Sequence, residues 1–240
     1  MENITTIVFT PKDDENIADC IDSAKLLSKN IIFVYPTSKF VETVRESGIK
    51  QSKTDWVLIL DVDERITKEL AKEITDSVFP LRSSTKSVKI THYRIPRKNI
   101  FGKAKWLRHG GWWPDYQTRL INKKHFVSWP KRIHSTPLIK GNAGYLKNPI
   151  LHYFHGDLEK MVEKTIVFED IESDLLYKAG REANTSTFFR KYFAELWRRM
   201  FKGLGFLDGI IGVIESIYQA FSKTITYLLL YEKKIKSRSL

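Results

Sequence analysis

Two carboxylates one residue apart, Asp61 and Asp63, directly follow the apolar run Trp56 to Leu60. A run of that kind reads as a buried strand, and open α/β sheets bind ligands at the carboxyl ends of their strands. Hard oxygen ligands placed there suit Mg²⁺ or Mn²⁺ bridging a diphosphate; the alternative is a solvated turn. A second cluster, Thr10-Pro11-Lys12-Asp13-Asp14-Glu15-Asn16-Ile17, ends the first apolar run. Its acids can accept hydrogen bonds from a ribose or a base, or serve only as ordinary helix capping with dipole-favoured charge. The third is Arg108-His109-Gly110-Gly111-Trp112-Trp113-Pro114-Asp115-Tyr116-Gln117-Thr118-Arg119-Leu120. Paired glycines let backbone approach a ligand. Trp112 and Trp113 offer flat faces for sugar rings and, with Tyr116 and Gln117, a candidate acceptor surface. Asp115 is a candidate general base and Arg119 a candidate phosphate clamp. The alternative is a core loop anchored by tryptophan.

The elements that must position these groups can be read from periodicity. Ile4 to Thr10, Asn30 to Tyr35 and Trp56 to Leu60 read as buried strands. Asp14 to Ser28, Phe40 to Ser47 and Thr67 to Val78 between and after them have helical spacing, with Thr67 as an N-cap. Apolar strands alternating with helices argue for a mainly parallel, Rossmann-like layer. From Arg82 to His109 the chain becomes basic, with alternation over Ser87 to Ile95 that predicts strands. Beyond Asp157 it reads as helical over Leu158 to Ala179, Thr187 to Lys202 and Leu207 to Tyr231. The expected organisation is an α/β domain over residues 1–156 and a helical region over 157–240.

Composition bounds the reading. At 240 residues, 42% hydrophobic and 28% charged, the chain is globular, which excludes disordered, collagen-like and low-complexity classes. Its one cysteine, Cys20, excludes an internal disulfide framework and suggests a reducing compartment; on an apolar helix face, it reads as core. No basic, apolar leader is visible at the amino terminus, and no uninterrupted apolar run reaches the ~18 residues of a membrane span. No Walker A, GxSxG or HExxH pattern is present. The net charge of +12 implies an anionic partner. In the last two helical segments bases and aromatics interleave, notably Arg190, Lys191, Trp197, Arg198, Arg199 and Phe201, followed by a basic tail. Such a stripe is either core or the face of a helix lying on an anionic membrane.

Together and in this order, the three clusters resemble glycosyltransferase family 2, and within it the lipopolysaccharide-core β-1,4-glucosyltransferase-like group. Lys12 to Ile17 approximates that group's Asn-Glu-Glu-x-Asn-Ile stretch. Trp56 to Arg65 matches Trp-Val-Leu-x-Leu-Asp-Ala-Asp-Glu-Arg, with Val62 for Ala. Arg108 to Leu120 matches Arg-His-Gly-Gly-Trp-Tyr-Pro-Asp-Tyr-Gln-x-Arg-Leu, with Trp113 for Tyr. Gly205 to Gly209 supplies the group's Gly-Phe-Leu-Asp-Gly. The resemblance implies a GT-A fold with a C-terminal amphipathic helical extension. It also implies a nucleotide-sugar donor (a UDP-sugar favoured), a Mg²⁺ or Mn²⁺ ion, and inversion at the anomeric carbon. In it Asp63, with Asp61, handles metal and diphosphate, and His134 is a further candidate metal contact. Thr10, Pro11, Asp13, Asp61 and Arg119 belong to the nucleotide-sugar site, and Asp115 deprotonates the acceptor hydroxyl. The expected acceptor is a glycan or lipid-linked molecule, and the interleaved bases and aromatics of the last helices with the basic tail predict peripheral attachment at the cytoplasmic side of a membrane.

Two departures stand out. Tyr35-Pro36-Thr37-Ser38-Lys39 occupies the place of the family's Asp-Ser-Gly-Ser-Thr-Asp, and only the 20 residues Pro36 to Asp55 separate the second strand from Trp56. His134-Ser135 also stands where the family has His-Glu. These departures motivate a competing reading, a catalytically degenerate member that binds a partner or a membrane. Net charge and aromatic content motivate another, nucleic-acid binding, but no recognition motif accompanies them and no nucleic acid is expected.

Overall fold

A computed structural model describes residues 3–36, 41–80, 89–102, 104–132, 135–154 and 158–238. The chain forms two compact units, residues 1–98 with 114–153, and residues 99–113 with 154–240.

The first unit is built on strands β1 (Ile4–Phe9), β2 (Asn30–Val34) and β3 (Trp56–Asp61), with helices α1 (Ile17–Ala24) and α2 (Glu42–Gln51) between them. β1 lies in the middle, parallel to β2 and β3, with Phe9 opposite both Val34 and Asp61. Next come β4 (Glu64–Arg65), α3 (Lys68–Val78), β5 (Ile90–Phe101), β6 (Lys105–Trp106) and β7 (Asp115–Asn122). β8 (Phe126–Ser128), β9 (Leu138–Ile139), β10 (Asn142–Tyr145) and β11 (Ile150–Phe154) complete the strands. The main sheet runs β2-β1-β3-β7-β5-β11-β4, with β10 beside β5; β8 and β9 form a separate pair. β7 pairs antiparallel with both β3 and β5, so the parallel half continues into a mixed half. This is a mixed, Rossmann-like α/β arrangement.

Side-chain alternation explains why the parallel strands are apolar throughout. Ile4, Val8, Leu58 and Leu60 face one core with Cys20, Ala24, Leu70 and Ile74 of α1 and α3. Ile7, Phe9, Val57 and Ile59 face the other with Ile49 of α2 and with Trp129. A sheet covered on both faces has no polar face to offer. Cys20 is fully buried, and burial pushes its thiol up to about 12. Thr67 caps α3 as its sequence predicts, its side chain accepting the Leu70 N–H at 3.1 Å. α1 starts three residues later than its periodicity suggests. The Asp14 carboxylate accepts both the backbone N–H and the side-chain amide of Asn16 at 2.9 Å, which makes a turn there instead. Of the strand expected over residues 87–95, residues 87 and 88 lie outside the described residues, and β5 runs from Ile90 on to Phe101.

The second unit contains α4 (Leu158–Lys178), α5 (Thr185–Leu196) and α6 (Ile210–Arg238). α5 continues as a π-helical turn over Trp197–Lys202, and a 3-10 turn over Gly205–Asp208 leads into α6. Asn184 caps α5, accepting the Thr187 N–H at 3.0 Å. β6 pairs with the last residues of β5, Ile100 opposite Trp106. No described helix is long and apolar enough to cross a membrane.

Candidate active site

In the first unit, the carboxyl ends of β1 and β3 bring the first two sequence clusters side by side. The Thr10 N–H donates to Val34, and the Val62 N–H to Phe9, both at 3.2 Å. Thr10 is buried, with its hydroxyl turned to the Pro11 carbonyl at 2.7 Å, whereas Pro11 and Asp13 are exposed. Asp61 ends β3, and its carboxylate is held by two arginines. Arg45 Nη2 reaches both oxygens at 2.9 and 3.0 Å, and Arg119 Nη2 reaches Oδ2 at 2.6 Å. Burial opposes ionisation of Asp61, but the charges of Arg119 and Arg45 outweigh it and hold the carboxyl well below its usual range. Burial likewise opposes the charge on Arg119, and Asp61 and Glu64 more than restore it.

The arrangement continues beyond Asp61. Arg119 Nη2 also donates to Glu64 Oε1 at 2.5 Å, and Glu64 Oε2 accepts the Asp61 backbone N–H at 3.0 Å. Glu64 is wholly buried and lies 3.8 Å from Arg97. Arg97 in turn grips Asp115 Oδ2 through Nε at 2.8 Å and Nη2 at 2.7 Å, and Gln117 donates to Asp115 Oδ1 at 2.6 Å. Three guanidinium groups thus alternate with three carboxylates from Arg45 to Asp115. Among the described residues, buried Arg45 Nη1 and Arg119 Nε have no acceptor.

Asp63 stands outside that chain. Its carboxylate is 3.6 Å from His152 Nε2, and its carbonyl accepts the Tyr153 N–H at 2.8 Å. A divalent ion bound mostly by phosphate oxygens and water needs few protein donors. A half-buried carboxylate beside an imidazole fits that need. Among the described residues no three His, Cys, Asp or Glu gather into a fuller metal cage. His134 lies outside the described residues.

Tyr116 is exposed and meets the Tyr145 ring edge-on at 5.2 Å. Tyr35, where the resembled family has Asp, is exposed with Lys12 Nζ 5.9 Å above its ring; Thr37, Ser38 and Lys39 lie outside the described residues.

The first part of the Arg108 to Leu120 motif belongs to the second unit. Gly110 and Gly111 have φ of +67° and +86°, a region side chains disfavour. The Gly110 N–H donates to Gly203 at 2.6 Å, and its carbonyl accepts Arg199 Nη1 at 3.1 Å. Trp112 stacks on Phe154 at 4.8 Å with Arg199 5.2 Å from its ring, and Trp113 meets Trp106 edge-on at 5.4 Å. Both tryptophans are half-buried. Asp208, 4% exposed, accepts the backbone N–H groups of Arg108 and His109 at 2.8 Å each and faces His109 Nδ1 at 2.9 Å. The Gly205 to Gly209 motif is therefore the clamp that holds the start of the glycine loop. Sequence reasoning assigns no role to Arg45, Glu64, Arg97, His152 or Asp208, although Glu64 and Asp208 lie in the quoted motifs Trp56 to Arg65 and Gly205 to Gly209.

No family model matches the chain. It is 22% identical over 274 residues to an uncharacterized glycosyltransferase of Rickettsia conorii, spanning 99% of this chain and 93% of that protein. To an uncharacterized glycosyltransferase of Rickettsia typhi it is 25% identical over 278 residues, spanning 100% and 90%. The solved structure of Staphylococcus aureus TarS residues 1–349 with UDP-GlcNAc superposes with a TM-score of 0.47 and 12% identity, covering 100% of this chain and 92% of that one. End to end, the chain is similar to proteins that carry the name glycosyltransferase.

Proposed function

We propose that the protein is an inverting, family 2-type glycosyltransferase that moves a sugar from a nucleotide-diphosphate donor, a UDP-sugar, to a hydroxyl of a glycan or lipid-linked acceptor. The observation that carries this is the unbroken alternation of charge from Asp61, at the carboxyl end of β3, to Asp115. It ties the place where a diphosphate would rest to a carboxylate fit to take a proton. Asp115 accepts the proton of the attacking acceptor hydroxyl, the acceptor oxygen bonds to the anomeric carbon, and the bond to the diphosphate breaks with its electron pair on the leaving oxygen. One displacement from the opposite face inverts the centre. Arg97 and Gln117 fix the direction of the Asp115 carboxylate. Arg45 and Arg119 hold Asp61 ionised and supply positive charge near the leaving group. A Mg²⁺ or Mn²⁺ ion held by Asp63, with His152 beside it, would add Lewis-acid stabilisation of the departing diphosphate. Pro11 and Asp13 face the nucleoside, and Trp112, Trp113, Tyr116 and Gln117 the acceptor. The chain works peripherally at the cytoplasmic side of a membrane.

The test is transfer of radiolabelled sugar from a panel of nucleotide-sugars with Mn²⁺, paired with thermal shift. Asp115→Asn abolishes transfer and keeps nucleotide-dependent stabilisation, whereas Asp63→Ala loses the metal-dependent part of that stabilisation. Exposed Tyr35 in place of the family's Asp favours a second reading, a catalytically silent member. No transfer and no stabilisation by any nucleotide would select it.

A further inference from the structure

The C-terminal helices are amphipathic in the opposite sense to helices of a water-soluble bundle. α6 exposes Ile210, Ile214, Ile217 and Phe221, at steps of four, three and four, with Ile210 75% exposed. Its buried face carries Gly212, Glu215, Ser216, Ser222 and Thr226 alongside Ala220 and Leu230. Ser222 and Thr226, with neighbouring Tyr218, pair inward with α4. Ser222 and Thr226 donate to the two carboxylate oxygens of buried Glu169 on α4, and the Tyr218 hydroxyl meets Thr165 Oγ1 at 2.7 Å. α5 shows a matching outer ridge of Phe189, Phe193, Trp197 and Phe201 at steps of four, with Trp197 63% exposed.

In water this pattern forfeits burial of its largest apolar side chains while enclosing hydroxyls and carboxylates. In lipid it is the favoured pattern: polar groups pair between helices and apolar ones face acyl chains. Charge selects the kind of lipid. Between Thr185 and Tyr231 there are six Lys or Arg and three acids, and two of those acids, Asp208 and Glu215, are buried. Arg190, Arg198 and Lys202 remain exposed beside the aromatic ridge.

We infer that the ridges of α5 and α6 insert into one leaflet of an anionic phospholipid bilayer, in its plane, with the basic side chains at headgroup level. Insertion rests on the second unit alone and stands whether or not sugar transfer is observed.

The experiment is flotation of the full chain with phosphatidylcholine vesicles with and without phosphatidylglycerol. Binding is expected with the anionic vesicles and is expected to persist at about 0.5 M salt, where purely electrostatic adsorption is screened. Trp197→Ser with Ile210→Ser lowers partitioning about thirtyfold or more. Arg190→Gln with Lys202→Gln lowers it about tenfold, and only at low salt. On the unsubstituted chain, acyl-brominated lipid quenches fluorescence that is missing from Trp197→Phe, a readout that does not depend on how the other variants fold. Absence of flotation with either vesicle overturns the inference. So does a concentration-dependent dimer dissolved by the Trp197 and Ile210 substitutions while vesicle binding is unchanged, because the ridges would then cover a second copy of the chain.

Discussion

Arg119 sits where two carboxylates compete for one guanidinium nitrogen, and removing it should expose how the site is held. Arg119→Leu leaves Glu64, which has no solvent exposure, with the Asp61 backbone N–H at 3.0 Å and the more distant charge of Arg97 at 3.8 Å, while Asp61 keeps Arg45 at 2.9 Å. A unit pair about 3 Å apart is worth about 6 kcal/mol at an effective dielectric near 20, before the cost of desolvation. Stripping one partner from a buried pair costs about 3–5 kcal/mol net, because the other charge stays buried. The Arg119→Leu loss should fall in that range. Glu64→Leu should cost less, about 2–3 kcal/mol, because Arg119 still faces Asp61 at 2.6 Å. The double variant removes one charge of each sign and leaves the Arg45–Asp61 and Arg97–Asp115 pairs. It should therefore be more stable than the sum of the single losses by about 2–3 kcal/mol. Urea denaturation followed by circular dichroism measures all four corners of the cycle. Single losses that add to within about 0.5 kcal/mol would refute the idea that these residues act as one charge network.

Glu215 gives a pH signature. Burial raises its carboxyl from 4.5 to about 7, while Gln219 and Arg199 pull the other way. A raised acid contributes stability that is complete below about 4.5 and lost as pH rises through about 7. Glu215→Gln should therefore leave melting unchanged near pH 4.5 and stabilise by up to about 3 kcal/mol near pH 8. Asp208→Ala should free the Arg108 and His109 amides, speeding their hydrogen exchange at least about tenfold and costing about 2–4 kcal/mol. Cys20, fully buried with its thiol pushed up to about 12, should react with a disulfide reagent only at the rate of unfolding, and urea should accelerate labelling along with loss of ellipticity.

What could be read from the sequence was local. Runs such as Trp56 to Leu60 carry their own strand signal because both faces of β3 are buried, and Thr67 announces its helix by capping chemistry. Asp61 and Asp63 were placed correctly because a strand end fixes them. Their different settings were not legible: Asp61 is set by Arg45, 16 residues earlier, and Arg119, 58 later, and Asp63 by His152. Glu64 and Arg97 look like surface charges in sequence, and only the pairing of β5 with β7 gives them partners. The stripe Ile210, Ile214, Ile217 and Phe221 correctly predicted a helix. Periodicity cannot say which side faces inward, and here that stripe is exposed.

The boundary between the compact units falls at 98/99, 113/114 and 153/154, so the chain crosses it three times. Shortening the protein from its C-terminus is therefore not the removal of a module. A cut after residue 156 would retain residues 99–113 but discard Asp208, Gly203 and Arg199, which receive or supply the hydrogen bonds of Arg108, His109 and Gly110. Expression of such a fragment would yield a glycine loop stripped of its clamp, and its inactivity would say nothing about whether the helices bind membrane. A version released from the membrane is better sought by placing polar residues on the outer ridges of α5 and α6, which leaves every one of those bonds in place.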